Sequence, residues 1–256
     1  MTTMSLESLR KVRDGGPPMA TLTAYDYPTA RLLDEAGVDL ILVGDSLGMV
    51  VLGYEDTTHV TLAEIRHHLR AARRGVKRAI LVCDLPYKTY ETPRQALESA
   101  RQLMDDGADA VKMEGGQAIE AQIRALIDDG IPVIGHLGML PQQILEEGRY
   151  KKKGKTEDEA ARLLADAKLI DRLGVRAMVL ESMFKKVARK ITAEVSVPTI
   201  GIGAGNGCDG QILVIHDLIG AFPWFCPPFA VPKVDVAGAI IEAARAYIGE
   251  VRASHA

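Results

Sequence analysis

Leu40-Ile41-Leu42-Val43-Gly44-Asp45-Ser46 carries four aliphatic residues into a glycine and then an acid. A run this short, with no polar alternation and a glycine at its end, predicts a strand buried on both faces. Asp45 then stands where the strand stops. The same device recurs along the chain: Gly37 leads to Asp45, Gly75 to Asp84, Gly107 to Glu114, Gly130 to His136 and Gly174 to Glu181. Each glycine closes a helical stretch, an apolar run follows, and a chemically capable residue ends it.

Working outward, strands are expected at residues 19–25, 40–43, 79–83, 110–113, 132–135, 177–180 and 198–202, with a weaker eighth at 211–215. Between them the 3.6-residue spacing of Leu62, Ile65, Leu69 and Ala72 predicts a helix over 61–74. Thr92-Pro93 and the capping box Thr156-Glu157-Asp158-Glu159 open two more helices. A last helix is expected over 236–250. Strands alternating with helices imply a parallel sheet. Eight such units in 256 residues fit a single (β/α)₈ barrel, which typically needs about 250, preceded by a short segment, 1–17. A doubly wound open sheet is the alternative. Acids ending consecutive strands favour the barrel, where they become neighbours on its C-terminal rim.

Composition excludes several classes. A net charge of −3 offers no basic field for nucleic acid. No apolar run reaches the roughly 18 residues of a membrane span. The polar, mixed-charge start does not read as a secretory leader. Cys83, Cys208 and Cys226 lack metal or redox spacing, which predicts free thiols in a reducing, cytoplasmic setting. The long basic stretch 140–155 is either a lid or a solvated face.

Asp45, Asp84 and Glu114 would converge on the rim. Three carboxylates that close repel one another unless a cation intervenes, and an all-oxygen set suits Mg²⁺. The plainer alternative is that each caps a helix or pairs with Lys or Arg. Lys112 lies two residues before Glu114 and so faces the same side, as a partner for acids or a substrate carboxylate, or as a Schiff-base amine. Glu181 is a candidate general base or an acid paired with Lys185 or Lys186. His136 is open between ligand, acid–base group and anion contact. Gly201-Ile202-Gly203-Ala204-Gly205 lacks dinucleotide spacing and reads as a place where a ligand approaches the backbone. Metal and base together suggest enolate or carbon–carbon bond chemistry on a small 2-oxo acid.

Thr23-Ala24-Tyr25-Asp26-Tyr27, Val43-Gly44-Asp45-Ser46-Leu47-Gly48-Met49, Cys83-Asp84-Leu85-Pro86, Val111-Lys112-Met113-Glu114-Gly115-Gly116, Gly135-His136-Leu137-Gly138, and Gly201–Gly205 through Cys208-Asp209-Gly210-Gln211 together resemble the ketopantoate hydroxymethyltransferase family, of the phosphoenolpyruvate/pyruvate barrel group. The resemblance runs from about residue 19 to 217. It implies transfer of a hydroxymethyl unit from 5,10-methylenetetrahydrofolate to 3-methyl-2-oxobutanoate. It also implies Mg²⁺ at Asp45, Asp84 and Glu114, two of them through water, and Ser46 and Lys112 on the oxo acid with Asp84 close by. Glu181 would be the base at C3, His136 would line the pocket, and Gly201, Gly203 and Gly205 would lie near the folate. A cytoplasmic homo-oligomer, typically a decamer, is implied as well. Two stretches depart from the family pattern: Ser182-Met183-Phe184, where Cys-Val-Pro is usual, and 222–229. The competing expectations are another Mg²⁺-dependent 2-oxo acid lyase of the same barrel group and a non-catalytic barrel.

Overall fold

The computed structural model describes residues 4–254; residues 1–3 and 255–256, the two ends of the expected domain, lie outside the described residues. The chain divides into two compact units, 1–212 and 213–256.

In the first unit, β1 (Met19–Thr23), β2 (Leu40–Val43), β3 (Ile80–Asp84), β4 (Ala110–Glu114), β5 (Val133–Gly138), β6 (Ala177–Glu181), β7 (Thr199–Ile202) and β8 (Gly210–Leu213) form a closed barrel in sequence order. The ladder from β1 through β8 is parallel throughout. β8 meets β1 where Met19 N donates to Asp209 O at 3.0 Å and Thr21 Oγ1 to Gln211 O at 2.8 Å. Closure excludes the open doubly wound sheet.

Because side chains alternate along a strand, one set faces the barrel axis. Leu40, Leu42, Ile80, Val82, Ala110, Ile134, Ala177, Val179, Ile200 and Ile212 form a single buried apolar cluster. On the next layer up the same inward positions carry Asp84, Lys112, Glu114 and His136. At the other end the cluster is completed by Leu9, fully buried, with Met4, Leu6 and Val12 packed on it. These belong to the 3₁₀ helix Leu6–Val12 and its flank, so the segment before β1 is a plug. Arg13 fastens it, donating to Thr192 O (2.6 Å) and Val195 O (2.8 Å) and pairing with Asp209 (3.0 Å).

The helices begin and end for local reasons. Thr61 and Glu64 form a reciprocal capping box at the start of Leu62–Gly75. At Glu157–Leu173, Thr156 caps but Glu159 accepts from the N–H of Lys155 rather than closing the box. Gly75 differs from the other closing glycines: it is the last helical residue, and a Cβ there would lie 2.7 Å from Tyr27 O and 2.8 Å from Arg31 N. It is needed for close helix packing rather than for a left-handed turn.

The second unit holds a short helix, Ile215–Leu218, and a long one, Val236–Ala253. Val236 N and Ala237 N donate to Ile219 O and Gly220 O. Phe222 and Trp224 meet edge-on at 5.1 Å. Ile240, Ile241, Tyr247, Ile248 and Val251 are exposed along the long helix. Among the described residues no helix is long and apolar enough to cross a membrane. The three cysteines are free.

Asp34 anchors the entry to β3, accepting from the main-chain N–H groups of Lys77 (3.1 Å), Arg78 (2.9 Å) and Ala79 (2.7 Å). Replacing it by alanine should lower unfolding free energy by about 2–4 kcal/mol, read by urea unfolding at pH 7. Burial pushes this carboxyl up, but the N–H donors outweigh it and hold its pKa below the ordinary 3.8. A lowered carboxyl pKa gives stability that is complete above the unfolded value and is lost as pH falls through the folded one. The advantage of wild type over Asp34→Asn should therefore be full at pH 7 and shrink once the pH drops below about 3.8.

Candidate active site

The parallel register decides which charged side chains meet. Asp84 lies beside Lys112, Glu114 beside His136, and Gly138 beside Glu181. Lys112 Nζ is 3.0 Å from Asp84 Oδ1, 3.7 Å from Glu114 Oε1 and 3.2 Å from His136 Nδ1. His136 in turn sets Nδ1 3.3 Å from Glu114 Oε1 and Nε2 3.2 Å from Glu181 Oε2. Asp45, just past β2, joins the group through its main-chain N–H, which donates to Asp84 Oδ2 at 3.0 Å. Asp45, Asp84, Lys112, Glu114 and His136 are each no more than 5 % exposed. The Glu181 side chain is 14 % exposed, the most open of the set.

So the structure brings together Asp45, Asp84, Lys112, Glu114, His136 and Glu181. The partner of Glu181 is His136, on the next strand, not a lysine of its own loop. Ser46 stands beside Asp45, with its Oγ 2.8 Å from the hydroxyl of buried Tyr25. Gly201 lies in β7, paired with Leu180 of β6, and Gly203 and Gly205 follow that strand. Their spacing has a local cause: a Cβ on Gly205 would meet Lys185 at 2.6 Å, and one on Gly201 would meet Gln211 at 3.0 Å.

Electrostatics separate the roles. Burial alone would drive Lys112 neutral, but Asp84, Glu114 and Asp45 outweigh it and raise its pKa. That is the behaviour of an ion-pairing ammonium, not of a Schiff-base nucleophile, which needs a free amine. Burial, with the charges of Asp84 and Glu114, pushes the Asp45 carboxyl well above its usual range. Burial and Lys112 press the His136 imidazole toward neutrality, yet Glu114 and Glu181 prevail and push its pKa up to about 9.

Four carboxylates thus face one lysine and one histidine. Asp84 Oδ1 and Glu114 Oε1 are buried, and the charged groups that face them are Lys112 and, for Glu114, His136 as well. Among the described residues no three His, Cys, Asp or Glu side chains are drawn together as a ready metal cage. The acid surplus and all-oxygen donors nonetheless fit a hard divalent ion that keeps several waters, as Mg²⁺ does.

Sequence reasoning missed two supports of this site. Tyr25 has no charge or spacing to mark its hold on Ser46. Gln142, from the turn Pro141–Gln143, donates through Nε2 to Asp45 Oδ2 at 2.7 Å. That contact spans 97 residues and no local pattern carries it.

A sequence model of the ketopantoate hydroxymethyltransferase family matches residues 3–255. The chain belongs to that family. The 3-methyl-2-oxobutanoate hydroxymethyltransferase of Trichodesmium erythraeum (strain IMS101) is 50% identical over 252 residues, covering 97% of this chain and 95% of its own. That of Ignicoccus hospitalis is 48% identical over 253 residues, covering 98% and 96%. Among solved structures, phosphonopyruvate hydrolase in complex with oxalate and Mg⁺⁺ superposes with a TM-score of 0.65. It is 14% identical and covers 99% of this chain and 88% of that one, a likeness of fold alone.

The stretch Ser182-Met183-Phe184 is held firmly. Ser182, at φ 43°, donates its N–H to Ile202 O at 2.8 Å, and its carbonyl accepts from Lys153 N at 2.9 Å. Phe184 N donates to Lys153 O at 2.9 Å, and Met183 is fully buried. The basic stretch 140–155 is thereby pinned to the exit of β6. Gly138 completes the arrangement at φ 106°, where a Cβ would fall 2.2 Å from Glu181 O. Gly138→Ala should cost about 2–4 kcal/mol in chemical unfolding, with greater loss than Gly130→Ala, where the Cβ would meet nothing within 4 Å.

Proposed function

We propose that this chain transfers a hydroxymethyl group from 5,10-methylenetetrahydrofolate to 3-methyl-2-oxobutanoate, giving 2-dehydropantoate for pantothenate synthesis. The carrying observation is the placement of Glu181. It is the most open acid of the cluster, and His136 stands between it and Glu114, with Nδ1 3.3 Å from Glu114 Oε1 and Nε2 3.2 Å from Glu181 Oε2. A base at one side of the pocket and a charge-stabilising group at the other are what removal of a proton beside a carbonyl demands.

Asp45, Asp84 and Glu114 would hold Mg²⁺, with waters completing its shell. When bound, the ion would gather the carboxylate and keto oxygens of the oxo acid and stabilise the charge that grows on the keto oxygen. Lys112, kept protonated by its acids, would bind the substrate carboxylate. Ser46, its hydroxyl steadied by Tyr25, would donate a further hydrogen bond to the oxo acid. Glu181 would take the proton from C3, oriented by the His136 Nε2 that faces its Oε2. The C3–H bond breaks and its electron pair delocalises toward the keto oxygen. Overall the two C–N bonds that hold the folate-borne carbon break, that carbon bonds C3 and the oxygen of a water, and the proton from C3 and the second proton of that water end on the two folate nitrogens, so that tetrahydrofolate departs. The Gly201–Gly205 loop, beside β6, is the place proposed for the folate. The exposed apolar residues of Val236–Ala253 support assembly with further copies, ten in all on the family resemblance.

Proton NMR of 3-methyl-2-oxobutanoate in D₂O, with Mg²⁺ and without folate, isolates the proton-transfer step. Exchange at C3 should stop with EDTA and fall by about 100-fold or more in Glu181→Gln. Exchange that survives either change would remove Glu181 or the metal from this role.

A further inference from the structure

Gln142 is 3 % exposed and makes four hydrogen bonds. Nε2 donates to Asp45 Oδ2 at 2.7 Å and to the Leu85 carbonyl at 3.0 Å. Oε1 accepts from the Tyr90 hydroxyl at 2.5 Å. The main-chain N–H donates to Glu114 Oε2 at 3.1 Å. The amide fits one way round only. The Leu85 carbonyl accepts and cannot donate, so it needs the NH₂ end, and the phenol takes the oxygen. One residue of the loop after β5 therefore touches an acid past β2, the main chain past β3 and an acid on β4.

We infer that Gln142 is a positioning residue for the acids of the metal site, holding Asp45 and Glu114 so that a divalent cation meets carboxylates already turned toward it. The inference rests on the metal reading above. Its physical basis is the repulsion among Asp45, Asp84 and Glu114, which turns unrestrained carboxylates away from one another. A neutral amide restrains Asp45 without adding charge. A lysine in its place would cancel the negative charge on which cation binding depends. The bond occupies one oxygen of Asp45 and leaves the other to the ion. Such partners behind a metal ligand typically govern affinity by 10–100-fold.

The test uses Mn²⁺ as the probe, titrated into the full chain without substrate and followed by EPR of the free ion. Gln142→Leu should weaken Mn²⁺ binding by about 10–100-fold. Tyr90→Phe, which keeps the amide but removes the bond that orients it, should weaken it by a smaller factor. Raised Mg²⁺ should restore C3 exchange in Gln142→Leu, a rescue that general damage to the fold would not allow. Thermal unfolding confirms that each variant is folded. Wild-type affinity in a folded Gln142→Leu overturns the proposal. Should that variant not fold, unchanged affinity in Tyr90→Phe overturns it. If the wild type binds no Mn²⁺, the metal reading itself fails and takes this inference with it.

Discussion

Lys112 stands inside a closed barrel with Asp84 3.0 Å and Glu114 3.7 Å from its ammonium group. Keeping charges out of water is costly even when they are paired, so this layer is no source of stability. It is tolerated because everything around it is secured elsewhere. The apolar cluster beneath carries the burial, and main-chain bonds fix the acids from outside. Asp84 accepts from the backbone of Asp45, and Glu114 from that of Gln142. The imbalance of acids over bases that remains leaves the layer with surplus negative charge, which suits a cation.

The two halves of the site are built differently. Asp84, Lys112, Glu114 and His136 stand on adjacent strands, and their separations follow from ladder register. Such positions are as rigid as the barrel. Asp45, Ser46 and Gln142 come from the segments past strand ends, where orientation must be supplied by hydrogen bonds. The stretch Ser182–Phe184 is set by main-chain contacts. Backbone bonds to Ile202 and Lys153 define the chain just after Glu181, and Met183 is buried beneath it.

Much of this was legible in the sequence because it is local. A glycine, an aliphatic run and an acid mark a strand and its rim residue within about ten positions, and alternation alone puts Lys112 and Glu114 on one face. Strand bounds differ from expectation by up to three residues, since pairing with neighbours extends β3, β4 and β6 onto their acids and β5 as far as Gly138. What stayed hidden depends on barrel closure. Gln142 meets Asp45 across 97 residues, and nothing in Leu-Pro-Gln-Gln announces it. Leu9 looked like part of a lead-in segment, yet it finishes the core. Gly75 passed for a helix-ending turn, whereas close packing against Tyr27 and Arg31 requires it.

The plug bears on how the barrel is made. Arg13 reaches partners 179, 182 and 196 residues further along the chain. During synthesis the segment before β1 emerges long before β7 and β8, and the contacts that Arg13 makes with Thr192, Val195 and Asp209 must wait for them. The floor of the barrel is therefore among the last parts to close, after most of the unit has left the ribosome. Contacts of such long sequence separation slow folding.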